Sequence, residues 1–151
     1  VPIEIRSITV AEVEQSGAMT KLLAQYASES SSPEFGKVEA CFPMYHAMET
    51  SGSLHIIGAF SPDLVGLAVL IVYGLPHYGG YRVCAMESFF VLPEARETGA
   101  GLKLLRAAES KACDLDARAL MVSAPAGGRL QEVLPRQGYR HSSSIFVRAL
   151  P

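Results

Sequence analysis

Six consecutive residues, Arg96-Glu97-Thr98-Gly99-Ala100-Gly101, are of the types that hold an anion. They follow the apolar run Phe89-Phe90-Val91-Leu92-Pro93 and lead directly into an amphipathic segment beginning at Leu102. That order reads as a buried strand, a tight turn and a glycine-rich helix start. The first turn of a helix leaves backbone N–H groups without intrahelical acceptors, and the helix dipole adds positive potential at the same place. A phosphate is the usual guest of such a site. Two glycines let the backbone approach a ligand with no Cβ between them, and Arg96 can add a positive charge. Upstream, Glu87 lies in a strand that is otherwise apolar on both faces, an expensive place for a carboxylate without a partner or a use. Proton transfer is the functional reading of Glu87. An ion pair with an arginine such as Arg82, or plain exposure where the strand meets water, is the structural one.

These groups need elements to position them. Residues 81–92 form a long strand whose alternation puts Ala85, Glu87, Phe89 and Val91 on one face and Met86, Ser88, Phe90 and Leu92 on the other. Both faces are largely apolar, as in a central strand covered on both sides. On this alternation Glu87 shares a face with Val91, four residues on. Residues 99–114 then form a helix with Leu104, Leu105, Ala108, Ala112 and Leu115 on one stripe and Lys103, Arg106 and Lys111 outside. The short apolar strand 119–123 ends at Ser123. The helix between the two strands requires a crossover, so they run parallel.

Earlier in the chain, Ile3-Glu4-Ile5-Arg6 alternates as a half-buried strand does. Thr9 and Glu12 match a capping box, with Ile8 and Val13 spaced for a hydrophobic staple. Helical spacing continues through Met19, Leu22, Leu23 and Tyr26 to about residue 28. Pro43 starts a short helix carrying Tyr45, His46 and Met48, and Gly52 closes it. Two strands, 54–60 and 64–75, form an antiparallel hairpin around Ser61-Pro62-Asp63, and His77-Tyr78-Gly79-Gly80 makes the next turn. After residue 123, a loop leads into a short helix ending near Leu134, Gly138-Tyr139 restarts an extended segment, and residues 145–149 read as a last strand. The predicted order is β-α-α-β-β-β-α-β-α-β, an α/β (α+β) arrangement in one domain spanning residues 1–151.

Composition excludes several classes. With 49% hydrophobic and 19% charged residues the chain can build a core. A net charge of -2 and a pI near 6.1 argue against a nucleic-acid partner, which favours a basic surface. No apolar run reaches the roughly 18 residues of a membrane span. Cys41, Cys84 and Cys113 are odd in number and unpatterned, which points to a reducing compartment without a disulfide framework. Neither they nor His46, His55, His77 and His141 have metal-ligand spacing, so no metal is expected. The first residues show no signal peptide, and the expected location is cytoplasmic.

The predicted order, together with Arg96-x-x-Gly99-x-Gly101 directly after a Val91-x-Pro93 strand end, resembles the GNAT family of acetyl-CoA-dependent N-acetyltransferases. The resemblance covers nearly the whole chain, through the Gly138-Tyr139 pair. The stretches ESFFVLPEARETGAG and VSAPAGGRLQEVLPRQGYR also look like acetyltransferases encoded in bacteriophages and prophages. The resemblance implies a mixed, mostly antiparallel sheet flanked by helices, with acetyl-CoA as cosubstrate. It implies that main-chain amides of Arg96, Glu97, Thr98, Gly99, Ala100 and Gly101 hold the pyrophosphate of coenzyme A. Phe89, Phe90 and Val91 would pair with the pantetheine arm, one amide steadying the thioester carbonyl as an oxyanion donor.

The implied reaction moves acetyl directly to an amine, carried by a small molecule, a peptide or a protein. An amine is protonated near neutral pH and must lose a proton first, and Glu87 stands where members of this family carry a base. Ser123 can donate a proton, directly or through water, or can simply satisfy backbone groups. Tyr139 reads as a packing aromatic, while Arg129 can reach a phosphate or sit exposed at a helix start. Tyr45, His46, His77 and Tyr78 fall on segments that wall the acceptor cleft in this fold. Dimers are frequent in the family, which leaves a homodimer open. Two departures stand out: Leu134 occupies the place of the family's usual acid tyrosine, and Gly127 the place of its asparagine. They keep alive an alternative, an acetyl-CoA-binding GNAT-like sensor or partner-binding module with weak or no catalysis. A phosphate- or nucleotide-binding domain unrelated to coenzyme A is a further alternative, without the Lys-Ser/Thr ending of a P-loop.

Overall fold

A computed structural model describes residues 1–151. Strands β1 (Glu4–Ile8), β2 (Leu54–Phe60), β3 (Leu64–Leu75) and β4 (Tyr81–Val91) pair antiparallel in chain order, and β5 (Leu120–Val122) adds to β4 in parallel. Helices α1 (Val10–Gln15), α2 (Met19–Ser30) and α3 (Phe42–Thr50) cover one face. The other face carries α4 (Ala100–Asp114) and α5 (Arg129–Arg136). This is the mixed α+β sheet architecture expected, with two departures in the order of elements.

First, the single helix expected to about residue 28 is two. Thr9 and Glu12 form the capping box reciprocally, and α3 adds Glu49, whose carboxylate accepts from Val10 N–H at 2.8 Å. Ile8 and Val13 are both buried, as the staple requires. The helix then stops at Ser16, where the backbone turns extended, the Ser16 hydroxyl takes the Ala18 N–H, and Gly17 weakens helical continuation. Second, no strand forms at 145–149. Residues 138–151 carry no regular structure, and Phe146 is 94% exposed. The three residues of β5 offer too short an edge to template another strand.

The core divides at the sheet. On the α4 side Leu70, Leu104 and Ala108 are fully buried around Met86 and Val91. On the other side Val10, Leu22, Leu54, Ile56, Val69 and Phe90 pack together. Gly66 of β3 joins the two layers to the end of β4. A Cβ there would sit 2.9 Å from the Phe90 carbonyl oxygen, 3.1 Å from Val91 and 3.2 Å from Leu104. Only glycine lets β3, β4 and α4 approach this closely.

Helix α2 is tied to the turn that follows β4, a 3₁₀ segment spanning Pro93–Thr98. Arg96 Nε donates to the Val91 carbonyl at 2.9 Å while its Nη2 meets Glu29 of α2 at 2.6 Å, and Lys21 pairs with Glu94. Hydrogen bonding from Arg96, then from Gln25, holds the Glu29 carboxyl below its ordinary value near 4.5. A carboxyl depressed by folding contributes stability that is complete above its unfolded value and lost as pH falls through the folded one. Stability should therefore decline as pH drops below about 4.5, and Glu29→Gln should flatten that acid limb in urea titrations at pH 3 to 6. Gly66→Ala should cost about 1–3 kcal/mol in the same assay at pH 7, through the forced shift of the β4 backbone.

Candidate functional site

The turn ahead of α4 has the geometry of an anion cradle. Gly99 adopts φ 82, ψ 6, a left-handed conformation that redirects the chain from the 3₁₀ segment into the helix. The first helical bond runs from Lys103 N–H to the Gly99 carbonyl at 3.0 Å. The N–H groups of Ala100, Gly101 and Leu102 therefore precede the ladder and lack helical acceptors. No side chain caps them. Thr98 is positioned for capping but donates its hydroxyl back to the Ala95 carbonyl at 2.5 Å. At Gly101 a Cβ would meet nothing closer than Val91 Cγ2 at 4.0 Å, so the fold itself does not demand glycine there. Space is left beside the amides, which is what a closely approaching ligand needs.

Arg96 corrects one expectation. Its guanidinium is engaged by Val91 and Glu29 and lies 5.4 Å above the Phe90 ring, so it braces the turn and is not a free charge for an anion. Glu97 is exposed and faces Arg129 across 3.5 Å. Arg129, at the start of α5, is exposed and reaches the turn through Glu97.

The strand before the turn opens on one edge. Pairing with β5 stops at Met86 opposite Val122, while β4 continues to Val91. Residues 87–91 thus have an edge that faces no strand, the arrangement required for pairing with an extended ligand. Within that stretch the Leu92 N–H goes to the Val65 carbonyl of β3, so alternation turns the backbone groups of Phe90 toward β3 and those of Phe89 and Val91 toward the open edge. Arg96 takes the Val91 carbonyl, which leaves the Phe89 N–H and C=O and the Val91 N–H unclaimed.

Glu87 sits where this opening begins, and on a different face from the one the sequence alternation assigns. Val69 of β3 pairs with Ser88 and the adjacent Leu70 pairs with Met86, so Glu87 is the extra residue of a β-bulge. The bulge resets the alternation: Met86, Phe89 and Val91 face α4, whereas Ser88 and Phe90 face α2. Glu87 turns toward the helices as well, where Tyr45 of α3 donates to its Oε1 at 3.1 Å and Ser88 to its Oε2 at 2.6 Å. It forms no ion pair, with Arg82 or any other residue, and it is exposed.

Beside Glu87 lies a cavity of about 350 Å³ between the sheet and α1, α2, α3 and the segment 35–40. Tyr26 and Tyr45 line it together with Glu87, Ser88 and Phe90. Tyr26 meets Phe90 edge-on at 5.9 Å. Burial pushes the Tyr45 phenol well up from its ordinary value near 10, and the charge and hydrogen bond of Glu87 push the same way. Burial and then the Glu87 charge raise Tyr26 too, with Ser88 pulling back. Both phenols therefore stay protonated at neutral pH, and Tyr45 is the one that donates to Glu87. Tyr26 and Ser88 were absent from the sequence candidates. Tyr26 reads there as one more apolar position on a helix stripe, and Ser88 becomes a neighbour of Glu87 only through the bulge.

Other predicted residues divide. Ser123 is exposed and is the first residue beyond the last β4–β5 pair, level with Glu87 across the opening. His46 lies away from the cavity, with Nε2 at 2.8 Å from Glu14. His77 and Tyr78 meet with ring centroids 4.4 Å apart at a 44° tilt in the β3–β4 turn, at the end of β4 away from the glycine turn, and do not line the cavity. Leu134 is buried at 7% exposure in the α4-side core. Tyr139 packs there as well, donating to Glu109 of α4 at 2.8 Å, which fits the packing role. Among the cysteines Cys84 is buried, while Cys41 and Cys113 are exposed. No group of three or more His, Cys, Asp or Glu residues is placed to hold a metal ion, and no helix is long and apolar enough to cross a membrane.

Solved structures share this architecture. A ribosomal-protein-alanine N-acetyltransferase from Brucella melitensis biovar Abortus 2308 superposes with a TM-score of 0.71 at 19% identity, covering 97% of this chain and 98% of that one. An acetyltransferase from Trypanosoma brucei gives 0.71 at 16% identity, over 98% and 99% of the two chains. An aminoglycoside acetyltransferase, HMB0005, from an uncultured soil metagenomic sample gives 0.77 at 13% identity, over 100% of both. At these identities the likeness establishes the fold. No curated protein sequence matches the chain. The sequence profile of the acetyltransferase (GNAT) family matches residues 15–139, which take in the bulge, the open edge and the glycine turn, and the chain belongs to that family.

Proposed function

We propose that the protein is an acetyl-CoA-dependent N-acetyltransferase that passes acetyl directly to a primary amine. The observation that carries this reading is the continuous path from the uncapped start of α4, along the open edge of β4, to the carboxylate of Glu87. The main-chain amides from Gly99 to Leu102 are suited to a diphosphate. Phe89 and the Val91 N–H offer edge groups to an extended pantetheine arm, and the thioester that arm carries supplies the activated acetyl group. An amide at this edge then stabilises the carbonyl oxygen as charge develops on it.

Glu87 accepts the proton that the ammonium form of the acceptor must lose. Tyr45 and Ser88 hold its two oxygens in place, so its orientation does not depend on the substrate. Ser123, level with Glu87 across the opening, is assigned the return of a proton to the departing sulfur, directly or through water. Arg129 adds attraction for phosphate near the turn.

One observation favours a second reading. Leu134 is a core residue, so no tyrosine acid stands at that point of α5. A protein that binds acetyl-CoA and turns it over poorly, as a sensor or partner-binding module, is consistent with that.

Two experiments test the proposal. Acetyl-CoA at a hundredfold excess over its Kd should raise Tm by about 5–10 °C. Gly101→Ala should stabilise the unliganded protein by about 0.5–1 kcal/mol through helix propensity, yet shrink that acetyl-CoA shift, because the added methyl stands beside the amides. A full shift in this variant refutes the assigned site. Glu87→Gln should keep the acetyl-CoA shift while amine acetylation, read by release of the CoA thiol, falls about 10²–10⁴-fold near neutral pH. Acetyl-CoA binding with no thiol release from the unaltered protein, over a broad amine panel, selects the second reading.

A further inference from the structure

The cavity beside Glu87 constrains what the acceptor is. Fifteen of its 19 lining residues are hydrophobic; the others are Lys37, Glu39, Glu87 and Ser88. Lys37 and Glu39 are exposed and lie on the segment 35–40, so Glu87 is the one charge that the sheet side of the cavity presents. Leu67 lies on β3, an interior strand flanked by β2 and β4, yet it is only half-buried because its helix-side face looks into this space. The volume, about 350 Å³, is at the lower end of small-molecule sites.

Building on the N-acetyltransferase reading of this site, we propose that the acceptor is a small primary monoamine with an apolar or aromatic body. Its nitrogen sits at Glu87 and its body fills the cavity under α2. A single carboxylate matches a single ammonium. A polyamine or aminosugar would bring further cations among apolar walls whose one other acid, the exposed Glu39, lies two positions from Lys37, at a heavy desolvation cost. An anionic acceptor would meet the Glu87 charge. A peptide would place backbone N–H and C=O groups against walls without hydrogen-bonding partners. The two protonated phenols, Tyr26 and Tyr45, give the nitrogen end of the cavity its polarity, and Met19, Leu23 and Phe42 make the rest apolar.

The ammonium gives one proton to Glu87, which releases it to water, and the free amine attacks the acetyl carbonyl carbon. The N–C bond forms, the C–S bond breaks with its electron pair remaining on sulfur, and the second proton lost from nitrogen ends on the CoA thiol. The products are the N-acetyl amide and free coenzyme A.

The test uses the full chain with saturating acetyl-CoA and reads thiol release with 2-phenylethylamine, n-hexylamine, ethanolamine, sisomicin and a tetrapeptide beginning with Phe. The two apolar monoamines should exceed ethanolamine in kcat/KM by at least about tenfold, the selectivity that a few buried methylenes confer. Leu23→Phe and Leu67→Phe each add bulk to the cavity wall, the first on a half-buried helix position that tolerates it more readily. Either should raise KM for 2-phenylethylamine about tenfold or more and leave the acetyl-CoA shift in Tm intact. Equal or better turnover of ethanolamine, sisomicin or the peptide overturns the proposed acceptor while sustaining acetyl transfer. So does undiminished 2-phenylethylamine turnover in both folded variants. Acetyl-CoA binding without thiol release from any amine overturns it in favour of the non-catalytic binder, and failure to bind acetyl-CoA removes both readings together.

Discussion

Strand β4 carries one residue more than β3 can pair, and the position of that residue decides what the site is. Before the bulge, Cys84 and Met86 face α4; after it, Phe89 and Val91 do, so the core on that side closes without interruption. On the other side Ser88 and Phe90 meet α2. Glu87 has no cross-strand partner and lies at the level where β5 stops pairing. A regular strand would have placed this carboxylate in the α4 layer, among Leu104, Ala108 and Val91, where a charge without a partner is not tolerated. The bulge directs it into a cavity where two hydroxyls already bind it. A bulge also bends and twists the strand that contains it, and here it coincides with the point where β4 and β5 part. The free edge and the carboxylate thus share one cause.

The glycine turn is held from outside itself. Arg96 reaches back to the Val91 carbonyl and across to Glu29, and Lys21 takes Glu94, so α2 holds the 3₁₀ segment that precedes Gly99 at two points. These pairs are largely at the surface, and little stability follows from any one of them. Their effect is positional. With the arginine occupied, the positive potential at the start of α4 comes from main-chain dipoles, and those are fixed before any ligand arrives. Fixed dipoles stabilise charge without a reorganisation cost, whereas a flexible guanidinium has to be recruited and ordered.

Much of this was legible in the residues. Thr9 and Glu12 gave the first cap, the turn residues gave the hairpin, and the crossover rule gave the parallel β4–β5 pair, because each rests on local chemistry or on chain reach. The glycine turn was legible for the same reason: two glycines between a strand end and an amphipathic helix are a local pattern, and Gly99 has the positive φ that such a turn needs. What failed depended on contacts between distant segments. Strict alternation along residues 81–92 contains no signal for a bulge, so Glu87 was put on the wrong face and Ser88 was overlooked. Tyr26 looked like a core residue because helical spacing registers the stripe and not the void behind it. His46, His77 and Tyr78 were grouped with the cleft by position along the fold; Glu14 claims the first, and the length of β4 separates the other two from Glu87. The strand at 145–149 failed because the residue types along a segment say nothing of whether an edge is there to receive it.

On the proposed reaction, the buried Leu134 shifts the chemical burden to the acceptor side. A thiol has a pKa of about 8.5 and an alkylamine about 10.4 in water, so near neutral pH sulfur departs as a weak base while the nitrogen arrives almost wholly protonated. Losing an acid that assists the sulfur removes help from the easier half of the exchange. Losing the base would leave the nucleophile without its lone pair. The residues that this chain has gathered reflect that asymmetry. Tyr45 and Ser88 fix the carboxylate, Tyr26 joins them at the cavity wall, and the sulfur side retains only the exposed Ser123 beyond the end of β5. A site organised in this way concentrates its preorganisation on taking a proton from the amine, and requires of the opposite strand little more than room for the thiolate to leave.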